Sequence, residues 1–111
     1  MSVKHVENND LQTTLGDGAT PALVDFYAEW CGPCKAMSPA IEALADEMGD
    51  SLIVAKVDTE KNAELAAKFN VSSIPTLVVF VNGKPAATHI GAMGGRELKD
   101  WVTQTAGTPT G

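Results

Sequence analysis

The sequence predicts an α/β protein: a mixed sheet of about five strands with helices on both faces. Three observations carry this. First, the runs Ala22–Ala28, Leu52–Val57 and Thr76–Val81 are apolar almost throughout, the first two broken by one charge each, Asp25 and Lys56. Runs apolar on both faces belong to central strands covered by helices on each side. Second, the segments between them change to three- and four-residue apolar spacing, and two strand–helix–strand units imply parallel pairs joined by crossover helices. Third, Asn82-Gly83 is a hairpin-turn dipeptide and adds an antiparallel edge.

Taken in order, Val3–Glu7 is a short first strand, and Asn9 or Asp10 caps a short helix through Leu15, before the turn Gly16-Asp17-Gly18. Ala22–Ala28 combines branched and aromatic residues, which favour strand. From Pro33 to Met48 the apolar positions Met37, Ile41, Leu44, Ala45 and Met48 fall on one helical stripe. Pro33 fits the first turn, where no intrahelical acceptor awaits an N–H, whereas Pro39 lies inside the helix and should kink it. Leu52–Val57 follows as a strand, then a short helix over Asn62–Phe69 with Leu65, Ala66 and Phe69 as its apolar stripe. Ile74-Pro75 interrupts the chain ahead of Thr76–Val81. After the hairpin turn, a strand around Ala87–Ile90 has Pro85 just before it, which suits an edge position. Gly91, Gly94 and Gly95 break the chain before a last helix over Arg96–Thr105, and Gly107–Gly111 reads as a frayed tail. With no repeat and no linker, residues 1–111 are expected to form a single domain.

Composition narrows the function. The chain has 44% hydrophobic and 20% charged residues, ordinary for a globular protein. Eight basic against fourteen acidic side chains give a net charge of −6, which argues against a nucleic-acid partner. Two cysteines are too few for a disulfide-stapled secreted scaffold. The first twenty residues lack the basic start and apolar run of a secretory signal, and no apolar segment has membrane-spanning length. The expectation is a cytoplasmic protein with no membrane partner, its thiols normally kept reduced.

Both cysteines fall in Trp30-Cys31-Gly32-Pro33-Cys34. A bridge between them would close a very small ring and stabilise the fold little. A bond that stabilises little and opens easily suits a reaction better than a scaffold, so the reading is dithiol–disulfide exchange. The pair lies where a strand gives way to a helix, and free N–H groups and the helix dipole there favour an anion. Cys31, the outer sulfur, gains most and is the expected nucleophile; Cys34, one turn inward, would resolve the mixed disulfide. Gly32 removes bulk for an approaching protein disulfide, and Trp30 offers an apolar platform. A structural zinc site would need four ligands, and the only histidines, His5 and His89, lie far off without ligand spacing, so no metal is expected. Asp25, amid Leu23, Val24, Phe26 and Tyr27, is expected to be buried with a raised pKa. It would serve either as proton acceptor for Cys34 or as half of a structural ion pair with Lys56. Pro75, taken alone, reads as an ordinary strand-start proline, since cis is the minority state.

The blocks Asp25-Phe26-Tyr27-Ala28-Glu29-Trp30-Cys31-Gly32-Pro33-Cys34-Lys35, Lys56-Val57-Asp58, Ile74-Pro75-Thr76, Asn82-Gly83 and Gly91-Ala92 resemble the bacterial-type thioredoxin family. The resemblance runs in matching order from about Val24 to Val102. It implies the thioredoxin fold and a general protein-disulfide reductase. Cys31 would attack, Cys34 resolve, Asp25 assist proton transfer and Lys56 tune Asp25. Pro75 would be cis and would pack against the cysteine pair, leaving the Ile74 backbone to pair with substrate. Trp30, Gly32, Pro33, Ile74, Pro75, Gly91 and Ala92 would form the docking surface. A lowered cysteine pKa at such a junction is a property for which thioredoxins are themselves a known instance. The chain would bind no organic cofactor. Its electrons would come from NADPH through a flavin-containing thioredoxin reductase, and its other partners would be disulfide-containing target proteins, met as a monomer. Tyr27 departs from the pattern, standing where many bacterial members carry a second tryptophan. Lys84-Pro85 is unusual after the hairpin turn, and the Thr-Pro-Thr-Gly tail has no family role. Two other functions compete. A periplasmic oxidase or isomerase is disfavoured by the Gly-Pro pair and the missing signal; a non-redox assembly subunit remains open as an additional role.

Overall fold

A computed structural model describes residues 3–7 and 10–107. In chain order the elements are β1 (Val3–Val6), α1 (Leu11–Leu15), β2 (Ala22–Tyr27), α2 (Gly32–Met48), β3 (Ile53–Asp58), α3 (Ala63–Lys68), β4 (Thr76–Val81), β5 (Lys84–Ile90) and α4 (Gly95–Ala106), with a single 3-10 turn over Gly49–Ser51 after α2. The strands form one sheet in the order β1-β3-β2-β4-β5. β3 runs parallel to both β1 and β2, whereas β4 is antiparallel to β2 and to β5. The expected mixed five-stranded sheet is therefore present.

The continuous apolar runs are explained by burial on both faces. Leu23, Val54, Leu77 and Val79 point to one side, where Met37, Ile41 and Leu44 of α2 and Leu98 and Val102 of α4 cover them. Their neighbours Val24, Phe26, Ala55, Val57, Val78 and Phe80 point to the other, against Leu11 and Leu15 of α1 and Leu65 of α3. Phe69 joins this second layer between Phe26 and Phe80, with ring centroids 5.8 and 5.6 Å away. β2, with neighbours on both edges and helices on both faces, is the middle of the molecule.

Only one of the two strong strand–helix–strand units makes a parallel pair. β2–α2–β3 does, but β4 neither neighbours β3 nor runs parallel to it. The lengths explain the difference. The 17 residues of α2 span about 25 Å, enough to return the chain along a six-residue strand of about 20 Å. The six residues of α3 span only about 9 Å, so β4 enters the sheet at the end where β2 and β3 leave it.

Local chemistry sets the ends. Asp10 caps α1, its carboxylate accepting from the Thr13 amide at 3.3 Å, while Asn9 lies outside the described residues. α2 runs through Pro39 without interruption, and its buried stripe is Cys34, Met37, Ile41, Leu44, Ala45 and Met48. β5 starts at Lys84, three residues earlier than the sequence implied. Pro85 pairs opposite Phe80 beside a bulge at Val79/Phe80, which an edge strand accommodates because the proline's missing N–H faces no further strand. Gly107, assigned to the tail, is instead the C-cap of α4, its N–H donating to the Thr103 carbonyl; residues 108–111 lie outside the described residues. Among the described residues no helix is long and apolar enough to cross a membrane.

Candidate active site at the start of helix α2

Cys31 is the N-cap of α2, with extended backbone (φ −84°, ψ 113°), and Pro33 occupies the first turn. Its Sγ accepts from the Cys34 amide at 3.2 Å. This amide is one of the donors that a helix start leaves without an intrahelical acceptor. A thiolate at Cys31 would thus meet an N–H and the positive end of the helix dipole, and Cys34, inside the first turn, lacks that position. The two sulfurs are bridged, with Cα atoms 5.3 Å apart. Exposure does not rank them as the sequence implied: the residues are 4% and 3% exposed. Their difference lies in backbone position, one capping the helix and one within it.

Around the bridge, Ala28 is fully buried, and Tyr27 and Ile74 pack against the Ala28–Cys31–Cys34 cluster. The Ile74-Pro75 bond is cis. Pro75 is buried, and its carbonyl accepts from the Gly91 amide at 2.9 Å, which ties the loop after β5 to the start of β4. Gly91 takes φ +104° there, a conformation that favours glycine. Of the expected surface residues, Trp30, Gly32, Pro33 and Ala92 are exposed, and Ile74 and Gly91 are half-buried.

Asp25 lies in the middle of β2, 1% exposed, and neither carboxylate oxygen has a hydrogen-bond partner. Burial raises its pKa from 3.8 to about 6, and the Lys56 charge opposes the rise. Lys56 is its register partner on β3, as the matching runs implied. The ion pair itself is not formed: the Lys56 Nζ donates to Ser38 Oγ of α2 at 2.8 Å and sits 4.7 Å from the centre of the Tyr27 ring. Tyr27 and Lys56, with Asp58 and Lys61, line a cleft of about 350 Å³ beside this row.

Two site features escaped the sequence reading. Trp30, 67% exposed, donates its indole N–H to Glu60 Oε2 at 2.6 Å. Glu60 is placed by Asp58, whose Oδ1 accepts from the Glu60 and Lys61 amides at 2.9 and 3.3 Å. That Asx turn was the available signal: an Asp two residues before the glutamate, just past a strand. The Lys56–Ser38 contact had none, because it joins a strand to a helix whose rotation the spacing does not fix. His5 and His89 lie on β1 and β5, separated by three strands. Among the described residues no group of three or more His, Cys, Asp or Glu is placed to hold a metal ion.

A disulfide at the mouth of a helix, on a mixed five-stranded sheet whose central strand holds a buried carboxylate, is the arrangement of a thiol–disulfide oxidoreductase. Comparison with known proteins agrees. The family model described as thioredoxin matches residues 2–104. A thioredoxin of Rhodospirillum rubrum is 41% identical over 100 residues, spanning 90% of this chain and 96% of its own length. A thioredoxin of Mycobacterium tuberculosis is 49% identical over 86 residues, 74% of each chain. Among solved structures, a single-site mutant of the thioredoxin from Halobacterium salinarum superposes with a TM-score of 0.84 at 33% identity, covering 95% of this chain and 91% of that one. The chain belongs to the thioredoxin family. Its Cys31–Cys34 pair is a redox-active disulfide, and disulfide-containing proteins are its targets.

Proposed function

We propose that this chain is a general reductant of protein disulfides, recharged by a flavin-containing thioredoxin reductase that draws on NADPH. In the reduced form the Cys31 thiolate attacks a substrate disulfide, forming a mixed disulfide and expelling one substrate thiolate, which takes a proton. The Cys34 thiol gives its proton to Asp25 and attacks Cys31 Sγ. That step breaks the mixed disulfide, expels the second substrate thiolate, which takes the proton back from Asp25, and leaves the Cys31–Cys34 bridge. Two electrons pass to the substrate, and the reductase returns two to the bridge. The observation that carries the reading is the Cys31 sulfur capping α2, where the Cys34 amide meets it.

Further support comes from the surroundings. A carboxyl with a pKa of about 6 accepts a thiol proton near neutrality and passes it on. Trp30, Gly32, Pro33, Ile74, Gly91 and Ala92 would form the face against which a substrate chain docks, with the buried Pro75 behind it and Lys56 tuning Asp25. The same reading takes residues 1–111 as one domain acting as a cytoplasmic monomer, without a resident cofactor. The test is NADPH oxidation with a bacterial thioredoxin reductase and insulin. Consumption should require this chain and saturate with insulin; consumption equal to the reductase-only rate would reject the proposal.

A further inference from the structure

The loop between β5 and α4, residues 91–94, is fastened at two points. Gly91 donates its amide to the Pro75 carbonyl at 2.9 Å. Two residues on, the Met93 amide donates to the Sδ of Met37 at 3.4 Å. Met93 and Met37 are 6% and 2% exposed, so the contact lies in the protein interior. The Met93 amide also precedes the cap of α4 and follows the end of β5, where neither helix nor ladder supplies an acceptor. A buried backbone N–H needs a partner, and a thioether, although a weak acceptor, fills the need here. Met37 stands one turn beyond Cys34 on the buried stripe of α2. The contact therefore couples the helix that carries the cysteines to the loop that carries Gly91 and Ala92.

From this geometry we infer that Met37 is a positioning residue for protein substrates: its sulfur fixes the Gly91–Met93 loop against α2, holding one wall of the docking face at a set distance from the Cys31–Cys34 pair. The inference rests on the functional reading above, which places Gly91 and Ala92 on that face. It assigns the side chain a role in recognition and none in the chemistry of the sulfurs. A leucine at 37 would keep nearly the same apolar volume while removing the acceptor. The Met93 amide would then be left unpaired unless the loop moved outward to water. Met48, equally buried on the same stripe but three turns further from the cysteines, provides a matched control without the contact.

The experiment compares Met37→Leu and Met48→Leu with the parent in three measurements: KM and kcat for insulin, the rate with the small disulfide 5,5′-dithiobis(2-nitrobenzoate), and hydrogen exchange of the Met93 amide by NMR. Met37→Leu should raise KM for insulin about five-fold with kcat unchanged, since an unpaired buried amide displaces the loop. It should also speed Met93 exchange and leave the small-disulfide rate at the parent value. Met48→Leu should match the parent in all three. An unaltered KM for Met37→Leu, an equal change in Met48→Leu, or a parallel loss with the small disulfide would overturn the assignment. The exchange measurement separates this inference from the reading beneath it: Met93 exchange that stays slow in Met37→Leu overturns the contact, whereas a parent inactive toward insulin overturns the functional reading.

Discussion

Asp25 and Lys56 face each other in register across β2 and β3, yet the lysine turns its ammonium to Ser38 and leaves both carboxylate oxygens of the aspartate without a hydrogen bond. A carboxyl so placed is a stability liability in its ionised form, and the role proposed for it is proton transfer.

The first prediction concerns Asp25→Asn. The unfolded carboxyl ionises near 3.8 and the folded one near 6, so the folded state resists ionisation. Below pH 3.8 both states are protonated and the group costs nothing through this term. Stability then falls as pH rises, levelling off above the folded pKa. A shift of this size corresponds to at most roughly 3 kcal/mol. Urea unfolding from acid to neutral pH should show the variant gaining on the parent through that window, and insulin reduction at neutral pH should slow. A variant less stable than the parent with unchanged turnover would favour a purely structural aspartate.

Ser38→Ala and Lys56→Met should move Asp25 in opposite directions. Removing the hydroxyl frees the ammonium to approach the carboxylate, which lowers the Asp25 pKa. Removing the ammonium deletes the one influence that opposes burial, which raises it above the parent value of about 6. Carbon-detected NMR titration of the Asp25 carboxyl checks both shifts. A shift of the same sign in the two variants would contradict the geometry.

Glu60→Ala should release the Trp30 indole. The bond is exposed at both ends, so global stability should change by less than about 1 kcal/mol. The local effect is larger: time-resolved fluorescence anisotropy should report a freer Trp30, and KM for insulin should rise about two-fold as a residue of the proposed docking face loses its fixed orientation. Trp101 also emits, so the comparison is made in a Trp101→Phe background.

Much of the fold was legible because its cues are local. The two-faced burial of β2, β3 and β4 was written in their apolar runs, and the buried stripe of α2 in its spacing. The hairpin turn was visible in Asn82-Gly83. What was not legible depends on distant parts of the chain. The antiparallel placement of β4 follows from how far α3 can carry the chain, and the early start of β5 from a bulge opposite Pro85. At the candidate site, the cysteine pair, the burial of Asp25 and its pairing in register with Lys56 were legible from residue type and position. Their settings were not: the near-equal burial of the sulfurs, the turn of Lys56 to Ser38 and the Glu60 partner of Trp30 all join segments far apart in sequence.

The central claim is that the two cysteines divide the work, with the helix-capping sulfur attacking and the other resolving. Trapping measures this directly: Cys34→Ser and Cys31→Ser are each mixed with a disulfide-containing protein such as insulin, and covalent adducts are counted by intact-mass spectrometry. Cys34→Ser should accumulate a stable mixed disulfide through Cys31, because the attacking thiolate remains and nothing resolves it. Cys31→Ser should accumulate little, because its remaining sulfur does not cap the helix. Equal trapping by the two variants, or predominant trapping through Cys34, would contradict the account.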